Sequence, residues 1–119
     1  MQSVFIKGRF PGLNEIINAA RGNKFKSAAQ KKTHTDRVYY SCLHLKKVDS
    51  AHFKFTWYEE NKRRDKDNIA SGGTKYCLDG LVMANVIPND GWKEVKSISH
   101  EFEIGEPGVL IEIMENGGE

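Results

Sequence analysis

The segment AHFKFTWYEE, residues 51–60, constrains the fold more than any other part of the sequence. Phe53, Phe55 and Trp57 alternate with more polar residues, and this period of two is typical of a β-strand with one face against a core. In TKYCLDGLVMANV, residues 74–86, the apolar residues recur instead at helical spacing, which predicts an amphipathic helix. We therefore expect an α+β domain in which helices pack against a sheet.

Weaker patterns predict the remaining elements. SVFIKG reads as a short opening strand, and Pro11 and Gly12 make a turn before a brief helix for which Asn14 is a candidate cap. Residues 26–47 predict the main basic helix. Residues 92–104 and 108–115 alternate as strands on either side of a turn, and the last four residues, NGGE, are expected to fray.

Length and composition favour one domain that acts inside the cell. The 119 residues have room for one core, so residues 1–119 are predicted to form a single domain. Cys42 and Cys77 lie far apart and form no CxxC pattern, which fits a reducing cytoplasm. No segment approaches the roughly 20 apolar residues that a membrane span needs.

The charges are divided unevenly along the chain. Residues 1–64 hold 14 Lys and Arg against 5 Asp and Glu, a net charge of +9, whereas residues 65–119 hold 4 against 11, a net charge of −7. A surface that binds a polyanion beside a carboxylate site would show this division. Pairing of the two halves with each other would show it equally well.

Three aspartates are candidate ligands of a divalent cation. Asp65 and Asp67 lie two apart in KRRDKDN, and on an extended backbone their side chains would point the same way. With Asp90 from the PNDG turn they would form a three-carboxylate site suited to Mg²⁺ or Mn²⁺. The alternatives are structural: Asp67 caps a helix, Asp65 pairs with Arg64, and Asp90 only makes a turn.

Basic side chains near these aspartates are candidates for phosphate binding. Arg63 and Arg64 could clamp phosphates in a bidentate manner, and Lys31 and Lys32 could follow a phosphate backbone. A solvated helix face explains the two lysines equally well. Lys75 lies four residues before Asp79, so it forms either an ordinary surface pair or a contact with a phosphate.

The order of three motifs resembles the RusA family of Holliday junction resolvases, which are typically encoded by phages or prophages. RRDKDN, KYCLDGL and VIPNDGWKEV match the family's Arg before DxDN, its Lys and Asp on the following helix, and its aspartate at the next turn. GRFPGLNEII also resembles the family's opening strand and turn. The resemblance implies a RusA-like α+β fold, with a mixed β-sheet packed by two main helices.

The resemblance also implies roles for individual residues. Asp65, Asp67 and Asp90 would bind Mg²⁺, Lys75 would assist catalysis, and Asn68 and Asp79 would support the site. The residues expected at the DNA are Arg63, Arg64, Lys31, Lys32 and Asn14. The chain departs from the family pattern at ASGG, residues 70–73, which lengthens the interval between Asp67 and Lys75. We expect either a helix that restarts there, capped by Ser71 or Thr74, or a bulge.

The implied activity is Mg²⁺-dependent cleavage of four-way junctions or other branched DNA in recombination and repair. Mn²⁺ is the expected substitute metal, and the implied assembly is a homodimer whose two sites cut opposed strands. Val38, Tyr40 and Trp57 are candidates for an apolar interface, although a monomer's core would use the same residues. The alternative function is a noncatalytic DNA-binding module that uses the basic N-terminal half.

Overall fold

The chain alternates strands and helices, and the bounds of each element follow. In a computed structural model that describes residues 1–116, the strands are β1 (Gln2–Lys7), β2 (Ala51–Glu59), β3 (Val95–Ile104) and β4 (Gly108–Glu115). The helices are α1 (Leu13–Gly22), α2 (Lys24–Ser41) and α3 (Lys66–Met83). No helix in this range is both long and apolar enough to cross a membrane. The fraying predicted for the tail concerns mainly residues 117–119, which lie outside the described residues.

The four strands form one mixed sheet in the order β1, β4, β2, β3. β4 pairs antiparallel with β1 and with β2, whereas β3 pairs parallel with β2. Parallel neighbours need a crossover connection, and α3 lies in that connection between β2 and β3. The predicted α+β fold with a mixed sheet is therefore confirmed.

One face of the sheet packs against the helices. Phe53, Phe55 and Trp57 of β2 are at most 1% exposed, as the alternation in the sequence predicts. Val38 of α2 and Trp57 are buried in this core, so they cannot form an interface with another molecule, whereas Tyr40 is exposed. The helices add a further set of buried side chains to the same cluster: Ile69, Tyr76, Cys77, Leu78 and Leu81.

The ASGG segment is an uninterrupted part of α3. The predicted restart or bulge is wrong, because α3 runs without a break from Lys66 and buries both Gly72 and Gly73. A Cβ atom at Gly73 would lie 2.5 Å from the ring of Trp57, and one at Gly72 would collide with the backbone carbonyl of Pro11. The two glycines therefore allow α3 to approach β2 and the turn before α1 closely.

Several other predicted boundaries are wrong by a few residues. α2 ends at Ser41 rather than near residue 47, because the N–H of Cys42 donates to the carbonyls of Val38 and Tyr39 and closes the last turn. β3 begins at Val95 and leaves Trp92 outside the sheet, 98% exposed. Asn14 is not the cap of α1, because Gly12 occupies that position.

Candidate functional site

The aspartate pair lies where β2 leads into α3. β2 ends at Glu59, a short exposed loop follows, and Asp65 is the N-cap residue of α3 with extended backbone angles. Asp67 is already in the first helical turn, so the two aspartates do not lie on one face of a strand. A carboxylate in this position also interacts favourably with the helix dipole. The alternative that Asp67 caps the helix is therefore wrong, because Asp65 occupies the N-cap position.

The carboxylates of Asp65 and Asp67 are exposed and weakly engaged. The side chain of Asp65 makes no capping hydrogen bond. One oxygen of Asp67, Oδ1, accepts a hydrogen bond from the backbone N–H of Asn68 at 2.9 Å. Neither carboxylate takes part in an ion pair within residues 1–116, and Asp65 in particular does not pair with Arg64. Oxygen atoms of both residues remain accessible to a cation or to solvent.

Asp90 lies beside Lys75 in the connection between α3 and β3. The ammonium Nζ of Lys75 is 3.0 Å from Oδ1 of Asp79 and 3.2 Å from Oδ2 of Asp90. Hydrogen bonds to Asp79 and then to Asp90 raise the pKa of Lys75 above its ordinary value. The predicted surface pair between Lys75 and Asp79 is thus present, and Asp90 joins it from a distant part of the sequence.

The arrangement does not gather the three predicted metal ligands into one cluster. Asp67 and Lys75 are eight residues apart on α3, about 12 Å along the helix axis. Lys75 then contacts Asp79, one turn further from Asp67. No group of three or more His, Cys, Asp or Glu side chains in residues 1–116 is arranged to hold a metal ion. Magnesium binding by the aspartates therefore stays a prediction.

Arg63 and Arg64 have different environments although they are neighbours. Arg63 is exposed, and its backbone N–H donates to the side-chain Oδ1 of Asn61 within the loop. The side chain of Arg64 is only 14% exposed and forms a bidentate pair with Glu59. Arg64 also donates to the carbonyl of Phe10. Of the two predicted phosphate ligands, only Arg63 has its guanidinium open to solvent.

Asn14 and Asn68 connect the start of α1 to the start of α3. The backbone N–H of Asn14 donates to Oδ1 of Asn68 at 3.0 Å. Gly12 faces the same side chain, since a Cβ there would lie 2.5 Å from Nδ2 of Asn68. Asn68 thus holds the helix that carries Asp67 against α1, and its supporting role in a catalytic site stays a prediction. Asn14 is exposed, and its predicted DNA contact stays a prediction.

Lys31 and Lys32 lie on the exposed part of α2, and within residues 1–116 only Lys32 forms an ion pair. Nζ of Lys32 is 2.7 Å from a carboxylate oxygen of Asp36. Lys31 lines a groove of about 260 Å³ between the helices, together with Lys75 and Asp79. A phosphate in this groove would meet two lysines from different helices. The predicted DNA contacts of both lysines stay predictions.

Sequence patterns did not identify Glu59 and Glu15, which surround Arg64. Glu59 lies five residues before Arg64, in a strand whose alternation predicts burial but no charge partner. Glu15 lies 49 positions away along the chain, and no local signal relates it to Arg64.

No protein-family model matches the chain, and no curated protein matches it significantly. Membership of the RusA family therefore stays a prediction based on the ordered motifs.

Proposed function

We propose that the protein is a metal-dependent endonuclease that cuts four-way junctions or other branched DNA. The observation that carries the proposal is the pair of exposed aspartates, Asp65 and Asp67, at the point where β2 leads into α3. Open α/β units commonly bind ligands beyond the carboxyl ends of their strands. The ordered motifs that resemble the RusA family supply the substrate class.

Asp65 and Asp67 suit a hard divalent cation that is shared with the substrate. Mg²⁺ in phosphoryl-transfer sites commonly takes one or two carboxylates, with waters and substrate phosphates as its other ligands. Bound there, Mg²⁺ or Mn²⁺ would activate water and stabilise the charge that develops during phosphodiester hydrolysis. Asp90 is not grouped with Asp65 and Asp67 as a third ligand in residues 1–116, and its Oδ2 contacts Lys75 instead.

Cations on either side of the aspartates would hold the DNA. Lys62, Arg63 and Lys66 are exposed around the aspartate pair, and Lys31 and Lys75 line the groove on the other side of α3. Such contacts bind the backbone of any nucleic acid and orient it. Selectivity for junctions would come from a homodimer with two sites on opposed strands.

The compartment that suits this proposal is the cytoplasm of a bacterium or of a phage-infected host. Cys42 and Cys77 are both free and fully buried, so the fold needs no disulfide between them. Free thiols of this kind are usual where the surroundings are reducing. DNA intermediates of recombination and repair are present in the same compartment.

Cleavage of a synthetic four-way junction tests the proposal. We expect paired, symmetric nicks in Mg²⁺ and none in EDTA. Asp67→Asn should abolish cutting while junction affinity in EDTA stays nearly unchanged, because the carboxylate serves chemistry rather than backbone binding. Asp49→Asn, at an exposed aspartate outside the site, is the matched control and should cut normally. Full activity of Asp67→Asn would refute the metal assignment.

A noncatalytic DNA-binding module is the second candidate. The contact between Lys75 and Asp90 favours it, because a binding module does not require the three aspartates to meet. Binding would weaken with salt, with a slope of about 0.9 per neutralised phosphate on a double-logarithmic plot. Tight junction binding without any Mg²⁺-dependent or Mn²⁺-dependent cleavage would select this function over the nuclease.

A further inference from the structure

Arg64, which directly precedes Asp65, is held by an acidic partner from β2. Its Nε donates to Oε1 of Glu59 at 2.9 Å, and its Nη2 donates to Oε2 at 2.6 Å. The two side chains are 14% and 15% exposed. A bidentate fork of this kind fixes direction as well as distance, because two parallel hydrogen bonds leave the guanidinium little freedom to rotate.

The remaining side of the guanidinium contacts the turn before α1. Nη1 of Arg64 donates to the carbonyl of Phe10 at 2.9 Å and lies 3.4 Å from Oε1 of Glu15. Glu15 is itself held by a bidentate pair with Arg9 and by the backbone N–H of Gly12. The hydrogen bonds from Arg9 hold the pKa of Glu15 below its ordinary value, so the carboxylate stays charged.

These contacts fix both ends of the segment that carries the aspartates. Glu59 is the last residue of β2, so its pair with Arg64 closes the loop of residues 60–63 immediately before Asp65. On the other side of the pair, Asn68 accepts the hydrogen bond from Asn14. Asp65 and Asp67 thus lie between two anchors, each of which ties the segment to the start of α1.

The same contacts make Arg64 a poor ligand for a phosphate. Its Nε, Nη1 and Nη2 all donate to protein acceptors already. A phosphate that displaced Glu59 would leave a carboxylate that is only 15% exposed without its partner, which is strongly unfavourable. Arg63 differs, because its side chain is exposed and its one hydrogen bond within residues 1–116 comes from its backbone N–H.

We infer that Arg64 is a positioning residue, which together with Glu59 and Glu15 fixes the backbone that presents Asp65 and Asp67, and that it does not bind DNA. Where the inference concerns cleavage, it rests on the proposed nuclease function. It replaces the sequence-based expectation that both arginines clamp phosphates. Displacement of catalytic groups by about 1 Å can lower a rate about 100-fold, so the loss of the anchor should affect the rate rather than affinity.

The test compares four variants on a four-way junction: Arg64→Met, Glu59→Gln, the double variant, and Arg63→Met as the exposed neighbour. We expect Arg64→Met and Glu59→Gln each to lower the single-turnover rate about 100-fold and to leave Kd in EDTA within about twofold. The double variant should be no slower than the worse single variant, because both remove the same contact. Arg63→Met should instead raise Kd.

Three results would overturn the inference. A raised Kd in Arg64→Met, with a salt slope lowered by about 0.9, would make Arg64 a phosphate ligand. Glu59→Gln keeps the shape of the side chain, so an unchanged cleavage rate in this variant would show that the pair between Arg64 and Glu59 does not position the aspartates. Strictly additive losses in the double variant would show that the two residues act separately.

Hydrogen exchange keeps the inference testable if the wild-type protein cuts no branched DNA, a result that would refute the proposed function alone. The amide of Ile69, which donates to the carbonyl of Asp65 at the start of α3, should then exchange at least about tenfold faster in Arg64→Met and Glu59→Gln than in Arg63→Met, because local opening becomes easier. Equal exchange in all three variants would refute the positioning role.

Discussion

Replacement of Gly72 by alanine tests whether close packing of α3 requires the ASGG segment. The new Cβ would collide with the carbonyl of Pro11 and lie 2.7 to 2.8 Å from two backbone atoms of Gly12. Backbone atoms cannot rotate away, so the cost should lie near the upper end of overpacking, about 3 kcal/mol. Alanine returns about 1 kcal/mol through its higher helix propensity. The net loss in the free energy of unfolding is therefore about 2 kcal/mol.

Urea denaturation of the purified variants measures this loss directly. Gly22→Ala is the matched control, because a Cβ at Gly22 meets no atom within 4 Å. Gly22 ends α1, so its replacement should leave the free energy of unfolding unchanged or raise it by up to about 1 kcal/mol. If Gly72→Ala proved as stable as the wild type with an unchanged m value, the close-packing argument would be wrong.

Two further predictions concern a partly buried histidine and a buried cysteine. Burial lowers the pKa of His100, whose ring nitrogen accepts the indole N–H of Trp57. At low pH the unfolded state therefore binds more protons than the folded state. The free energy of unfolding should fall as pH drops below about 6.5 and through the folded pKa. Urea titrations at pH 7.5 and pH 5 should show a smaller fall in His100→Gln than in the wild type. Burial also raises the pKa of Cys42 to about 12, so a thiol reagent at pH 8 should label it only upon unfolding, and immediate labelling would contradict this.

The sequence predicted those elements in which one local pattern agrees with the final packing. β2 is the clearest case, because the alternation of Phe53, Phe55 and Trp57 matches the face that is buried. The start of α3 was missed because Gly72 and Gly73 are poor helix formers and suggest a break. Their low intrinsic propensity is overcome by contacts with Trp57 and Pro11, which are distant in sequence and leave no local signal.

The candidate site was predictable in composition but not in arrangement. The pair between Lys75 and Asp79 follows from their spacing of four residues along one helix. The place of Asp65 and Asp67 at the start of α3 was not predicted from spacing, because the metal-site prediction put them on an extended backbone. The position of Asp90 does not follow from spacing either, because it depends on how the connection from α3 to β3 folds back over 15 residues to reach Lys75. The partner of Arg64 was likewise hidden, since the sequence offers several acidic residues at similar separations.

The exposure of the side chains of Lys75 and Arg64 decides which of them can exchange its carboxylate partner for a phosphate. The side chain of Lys75 is 66% exposed, and exposed ion pairs contribute only about 0.2 to 1 kcal/mol, so a phosphate can replace Asp79 or Asp90 at little cost. Arg64 is 14% exposed, and separation of a buried pair costs on the order of 3 kcal/mol or more. Lys75 is therefore suited to contact a substrate, and its release from Asp90 would also free that carboxylate. Arg64 is instead suited to stay paired with Glu59.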